Sequence, residues 1–215
     1  MEVFIDFDDV IFNTKKFVTD IKRAFRKYGI DEELFQKSYI DYPIKNKNGT
    51  IKKYEPSKHI VILEREFEFD GRKLRADVRK ITKNSSAYVF PDVTDFISKS
   101  GKKNVHIISY GDTDFQEEKI SECGVAGLVS AIIISDKLKS DSIKKIISKE
   151  TIDLSDGKIY FIDDRMEQIV DVKKAYPKIT TILLKRKDGR YDDSKNKYCD
   201  FEFKNLKQAG KFILK

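Results

Sequence analysis

The 215-residue chain has no tryptophan, two cysteines, two histidines, four prolines and ten glycines. Cys123 and Cys199 are far apart and fall in no C-x-x-C or Cys/His spacing. That argues against a disulfide framework or a zinc-type site and suits two reduced thiols. So little Pro and Gly excludes a fibrous or low-complexity chain. No apolar run nears the roughly 20 residues of a membrane helix. Met1–Asp6 carries no basic stretch before its short apolar run, so no secretory leader is expected. These absences point to a soluble, globular, cytoplasmic protein with no membrane partner.

Apolar residues make up 40% of the chain and charged residues 37%, enough for one real core. The length suits one domain plus an insertion. The net charge of +7 would fit a nucleic-acid partner, but the basic residues are mostly scattered lysines. Nucleic acid is therefore the disfavoured reading, and small anionic substrates are favoured.

Five short apolar runs end in polar residues: Val3–Phe7, Val105–Ser109, Ala131–Ser135, Ile159–Asp163 and Thr180–Leu184. Their lack of alternation predicts strands buried on both faces. Helical patterns lie between the last four, at Thr113–Cys123, Ser140–Ser148 and Glu167–Tyr176, and another precedes them at Pro91–Lys99. Thr113-Asp114-Phe115-Gln116 reads as a capping box. Strand–helix alternation predicts an α/β fold with a mostly parallel, Rossmann-like sheet. Residues 15–87 are too long for an ordinary crossover and read as an inserted, mainly helical subdomain. Within it, Lys15–Tyr28, Asp31–Tyr39, His59–Phe69 and Gly71–Lys83 read as helices, and Asn48-Gly49 as a turn. The division expected is residues 1–14 with 88–215 as core and 15–87 as insertion.

In an open α/β sheet, chemistry gathers at the carboxyl ends of the strands. Those ends carry Asp6-Phe7-Asp8-Asp9, Ser109-Tyr110-Gly111-Asp112, Asp136-Lys137-Leu138-Lys139 and Asp163-Asp164. Clustered carboxylates repel unless a cation neutralises them, and an all-oxygen set suits a hard ion such as Mg2+. A carboxylate can also attack phosphorus, while Ser109 and Lys137 or Lys139 are suited to hold phosphoryl oxygens.

These segments resemble the four signatures of the haloacid dehalogenase superfamily, in the family's order. Asp6-Phe7-Asp8-Asp9-Val10 resembles the first, D-x-D-x-[VT]. Ile107-Ile108-Ser109 resembles the second, Lys139 before a helix the third, and Phe161-Ile162-Asp163-Asp164 the fourth. The resemblance implies Asp6 as nucleophile and Asp8 as general acid/base. It implies a metal site of Asp6, Asp8 (through its main-chain carbonyl), Asp163 and Asp164, with the direct ligand of the last pair left open. Ser109, Tyr110 and Lys139 would bind substrate, with Lys137 as rival for the lysine role. It also implies sheet order 3-2-1-4-5 and a helical C1-type cap. Dehalogenases of the family lack the second Asp, so Asp8 implies the phosphatase branch. Asp9 stands where many members have Gly, and Lys139-Ser140 where many have Lys-Pro. The expected activity is Mg2+-dependent hydrolysis of a small phosphomonoester, a nucleotide or sugar phosphate. Phosphomutase, nucleic-acid end phosphatase and a non-catalytic binding module are the alternatives.

Other polar residues receive plainer readings. Asp92, Asp112 and Asp141 stand at helix starts, where carboxylates cap. His106 lies inside a strand and reads as packed, and His59 in the insertion is assigned no role. Arg165 reads as a partner for a surface acid. Tyr39, Tyr42, Lys45, Lys52, Lys53 and Tyr54 read as core and solvated face, with a base-stacking or sugar-binding surface as the other reading.

Overall fold

The computed structural model describes residues 1–40, 54–155 and 158–215. The Asn48-Gly49 turn and Tyr42, Lys45, Lys52 and Lys53 lie outside the described residues. Strands β1 (Glu2–Ile5), β2 (Val105–Tyr110), β3 (Ala131–Ser135), β4 (Ile159–Asp163), β5 (Thr180–Leu184) and β6 (Phe201–Phe203) form one sheet. Its order is β3-β2-β1-β4-β5-β6, and every pairing is parallel. β1 is central, with Ile5 opposite Ile107 on one side and Ile162 on the other. The expected order holds for five strands. The sixth was not expected: Phe201-Glu202-Phe203 is a short, half-exposed edge among charged residues, with no apolar run to mark it.

The continuous apolar character of the strands has a direct cause. Val3 and Ile5 pack into a core on one face of the sheet, while Phe4 packs into a second core on the other. Period-two alternation thus sends apolar side chains both ways. Helices α7 (Lys139–Glu150) and α8 (Met166–Ala175) cover the Phe4 face through Ile143, Ile146, Ile169 and Val172. Helices α5 (Val93–Ser100) and α9 (Leu206–Ile213) cover the other through Val93, Phe96, Leu206 and Ala209.

Between β1 and β2 the described residues form α1 (Thr14–Arg26), α2 (Glu32–Ile40), α3 (Pro56–Leu63) and α4 (Gly71–Lys83). α1 buries Phe17, Ile21, Ala24 and Phe25, one stripe at helical spacing. Asn13 caps it by accepting from the Lys16 N–H at 2.9 Å. Gly71 opens α4 behind Asp70, whose carboxylate accepts from the Lys73 N–H. α3 is earlier and shorter than the 59–69 pattern predicts. Pro56 supplies its first turn and Glu55 caps it, accepting from the Ser57 and Lys58 N–H groups at 2.7 Å.

Three capping expectations change. Helix α6 (Thr113–Glu122) is capped by Asp112, which accepts from the Phe115 N–H at 3.3 Å, and not by a Thr113–Gln116 box. Asp92 makes no cap for α5. Its carboxylate instead accepts from the Leu206 N–H at 2.8 Å, at the start of α9, and from Arg186 Nη2 at 2.9 Å. Asp141 lies inside the first turn of α7 and makes no side-chain cap.

Candidate active site

β1 ends at Ile5, and the Asp6 N–H still donates to the Ile162 carbonyl at 2.9 Å. The chain then turns sharply. The Ile11 and Phe12 N–H groups both donate to the Phe7 carbonyl at 2.9 Å. Asp9 takes φ +57°, the left-handed region where a side chain costs energy and glycine does not. Its carboxylate is buried against Arg190 Nε, which offsets that cost. An ion pair thus stands where a glycine would be free of strain.

The turn delivers Asp6 and Asp8 to a cavity of about 540 Å³. Tyr110, Lys139 and Asp164 also line it, as do Lys119 and Gln116 of α6 and Arg190. Lys139 is 3% exposed, and its Nζ lies 2.6 Å from both Asp6 Oδ1 and Asp163 Oδ2. Lys137 is exposed, so Lys139 is the lysine in the site. Burial opposes its charge, but the Asp163 and Asp6 carboxylates more than restore it, and Lys139 keeps its proton beyond the usual lysine range.

Asp163 and Asp164 differ sharply. Asp163 is fully buried, and both oxygens are taken, by Lys139 and by the Arg165 N–H at 2.9 Å. Burial raises its carboxyl to about 7, against the pull of Lys139. Asp164 lines the cavity, and its buried Oδ2 has no hydrogen-bond partner among the described residues. Burial, then repulsion from Asp6, Asp163 and Asp9, pushes its carboxyl well above the ordinary range. Oxygens of Asp6, Asp163 and Asp164 lie within 4.8 Å of one another. Three buried carboxylates with an orphaned oxygen and no His or Cys make a donor set that fits a hard divalent cation.

Asp8 stands apart from that cluster. Its Oδ1 accepts from Thr14 Oγ1 at 2.7 Å and from Lys119 Nζ at 2.8 Å, and its Oδ2 accepts from Gln116 Nε2 at 2.6 Å. Burial works against its charge, yet Lys119 and Arg190 prevail and hold it well below the usual carboxylate range. Lys119 is 3% exposed, with its ammonium 5.1–5.8 Å from the ring centroids of Phe7, Phe12, Phe17 and Phe115. Sequence pattern assigns no site role to Lys119, Gln116, Thr14 or Arg190. The available signal was the three-residue spacing of Gln116 and Lys119, which puts both on one face of α6.

Ser109 and Asp163 are the predicted site residues that do not line the cavity, Asp163 lying behind it under Lys139. β2 runs one residue further than expected, so Ser109 remains paired opposite Ile134 inside the sheet, and Tyr110 reaches the cavity instead. The Ser109 hydroxyl is buried and has no hydrogen-bond partner among the described residues. Both histidines are packed: His106 Nε2 lies 2.7 Å from Glu2, and His59 Nε2 lies 2.7 Å from Ser38. Arg165 pairs with Glu167 at 2.5 Å, as its surface-acid reading expects.

No family model and no curated protein matches the chain. Solved structures do. A dehalogenase crystallised as an intermediate complex superposes with TM-score 0.69 at 10% identity, over 100% of this chain and 97% of that one. L-2-haloacid dehalogenase from Xanthobacter autotrophicus, with chloropropionic acid covalently bound, gives 0.66 at 13% identity over 99% and 97%. The HAD-hydrolase YfnB from Bacillus subtilis, bound to magnesium, gives 0.60 at 12% identity over 99% and 97%. The fold is that of the haloacid dehalogenase-like hydrolases. Within this haloacid dehalogenase-like fold, Asp6, Asp8, Lys139 and Asp164 meet in one cavity at the carboxyl ends of β1 and β4 and the start of α7.

Proposed function

We propose that the chain is a phosphomonoester hydrolase working through an aspartyl-phosphate on Asp6, with residues 15–87 as its cap. The observation that carries this reading is Asp8. A second carboxylate, two residues after the first, lines the same cavity. That position separates phosphatases from the dehalogenases the fold also resembles.

In the proposed reaction an Asp6 oxygen bonds to phosphorus as the ester P–O bond breaks. Water then cleaves the aspartyl-phosphate to release phosphate and restore Asp6. Lys139 places a fixed positive charge beside Asp6, where negative charge builds on the transferring group. Asp8 is held ionised by Lys119 and Arg190 with a further hydrogen bond from Gln116, the state that accepts a proton from the attacking water. For the acid half of the cycle, substrate entry must bring that carboxylate a proton for the leaving oxygen. Of the three clustered carboxylates, Asp6 and Asp164 would hold Mg2+ directly, while Asp163, engaged by Lys139 and the Arg165 N–H, would add its charge from behind them. Mg2+, when bound, would supply further charge neutralisation at the phosphoryl group.

The test is phosphate release from a panel of phosphomonoesters, with and without Mg2+, comparing the native chain with Asp6→Asn. Mg2+-dependent release that the variant loses supports the reading. Halide release from a 2-haloalkanoate, with no phosphate release from any ester, overturns it in favour of dehalogenation. A wild-type rate in Asp6→Asn overturns the nucleophile assignment.

A further inference from the structure

The cavity has two chemically different walls. Toward β1, β4, α6, α7 and the segment after β5 it is charged: Asp6, Asp8, Lys119, Lys139, Asp164 and Arg190. Toward the helical insertion it is apolar and aromatic. Phe17 and Ile21 of α1, Phe35 and Tyr39 of α2, and Tyr54 before α3 line it there. These side chains are themselves ordered by ring contacts. Phe35 stacks on Tyr39 with planes 10° apart, and Tyr54 meets Tyr39 edge-on at 5.1 Å. From the described part of the insertion, the other polar groups at the cavity are Thr14 at the start of α1, Lys22 and Gln36. Thr14 is engaged with Asp8, and Lys22 is already paired with Glu32 at 2.5 Å.

The wall opposite the phosphate site must hold the leaving group. A hexose there would set several hydroxyls against phenyl and aliphatic surface with few donors or acceptors, and each unmet hydroxyl opposes binding. A flat ring escapes much of that penalty, because its two faces stack on aromatic side chains and its polar groups are confined to the edge. The cavity volume of about 540 Å³ lies within the usual range for sites that bury a small-molecule ligand. Tyr39 and Tyr54 thus do more than fill a core, and the stacking reading of that stretch gains ground at these two positions.

We infer that the preferred substrate is a phosphomonoester whose leaving group carries a flat aromatic ring, as in a nucleoside monophosphate, and that the aromatic wall around Phe35 and Tyr39 selects it. The inference rests on the phosphatase reading for its reaction and on the cavity alone for its binding preference.

The experiment titrates folded Asp6→Asn calorimetrically with a nucleoside monophosphate, phenyl phosphate and a hexose phosphate. The nucleotide should bind at least about tenfold tighter than the hexose ester, with phenyl phosphate between them. Tyr39→Leu should shrink that ratio and Tyr39→Phe should keep it, with unchanged far-UV circular dichroism confirming that both fold. Equal affinities, or tighter binding of the hexose ester, overturn the inference. Hydrolysis of all three esters by the native chain without such a preference overturns it and leaves the phosphatase reading standing. A preference for rings in binding, with no hydrolysis of any ester, supports it and overturns the phosphatase reading. Binding of none overturns both.

Discussion

Lys119 Nζ donates to Asp8 Oδ1 at 2.8 Å from inside a box of four phenyl rings. One turn earlier on the same helix, Gln116 donates to the other Asp8 oxygen at 2.6 Å. Helix α6 therefore fixes both ends of this carboxylate, while Phe12 and Phe17 tie the clamp to the turn after β1 and to the insertion. The acid/base residue of the proposed reaction is oriented before any substrate arrives.

Replacing Lys119 by Met should destabilise the fold by about 3–5 kcal/mol, the usual cost of stranding a buried charge. The sign follows from linkage. Lys119 lowers the folded-state value of Asp8, so its stabilisation is present at neutral pH and fades as acid titrates Asp8. Chemical denaturation at pH 7 and pH 3 should show a large loss at pH 7 and a smaller one at pH 3. Equal losses at both would mean that Lys119 acts by packing alone.

Gly111 has φ +155°, and a Cβ there would meet the Gln116 side chain at 2.9 Å. Gly111→Ala should push Gln116 from Asp8 and strain the backbone after β2. The expected result is a fall in kcat of about tenfold or more with a smaller change in KM, since geometry at the reacting groups is lost. An unchanged kcat would remove Gln116 from the machinery.

Asp9→Gly should suit the backbone but leave the Arg190 guanidinium without its partner. A loss of about 1–3 kcal/mol is expected, discounted because the Arg190 side chain is 37% exposed. Thermal unfolding of Asp9→Gly and Asp9→Asn checks this. An increase in Tm for the glycine variant would show that backbone strain outweighs the ion pair.

The acid cluster gives a pH dependence of the opposite sign to that of Asp8. Asp163 and Asp164 are raised in the folded state, Asp163 to about 7. Between the unfolded carboxylate value of ~4 and pH 7 the folded chain holds the extra proton, so these groups make metal-free stability fall as pH rises. A bound divalent cation needs the ionised forms, so the Tm rise with Mg2+ should be larger at pH 8 than at pH 5. Asp164→Asn should raise the metal-free Tm and erase the Mg2+ effect. A Mg2+ shift that survives in Asp164→Asn would place the ion elsewhere.

Much was legible in the chain itself. Strands buried on both faces must be apolar throughout, so β1 to β5 showed as continuous Ile, Val and Phe runs, three of them with the bounds later found. The residues just past those runs had to lie along one edge of a parallel sheet, which made Asp6, Asp8, Lys139 and Asp164 visible as a set. Local chemistry could not rank Lys137 against Lys139, or Asp163 against Asp164. Those choices depend on which side chain faces inward once the helix and strand pack. β6 was hidden because an exposed three-residue edge needs no apolar run. The Asp8 clamp was hidden because it joins residues 111 positions apart, and the Asp9–Arg190 pair because it joins residues 181 apart. Sequence pattern records what each segment must bury. Which charges meet, and which wall of a cavity a substrate must face, are decided only when distant segments are brought within a few ångströms of one another.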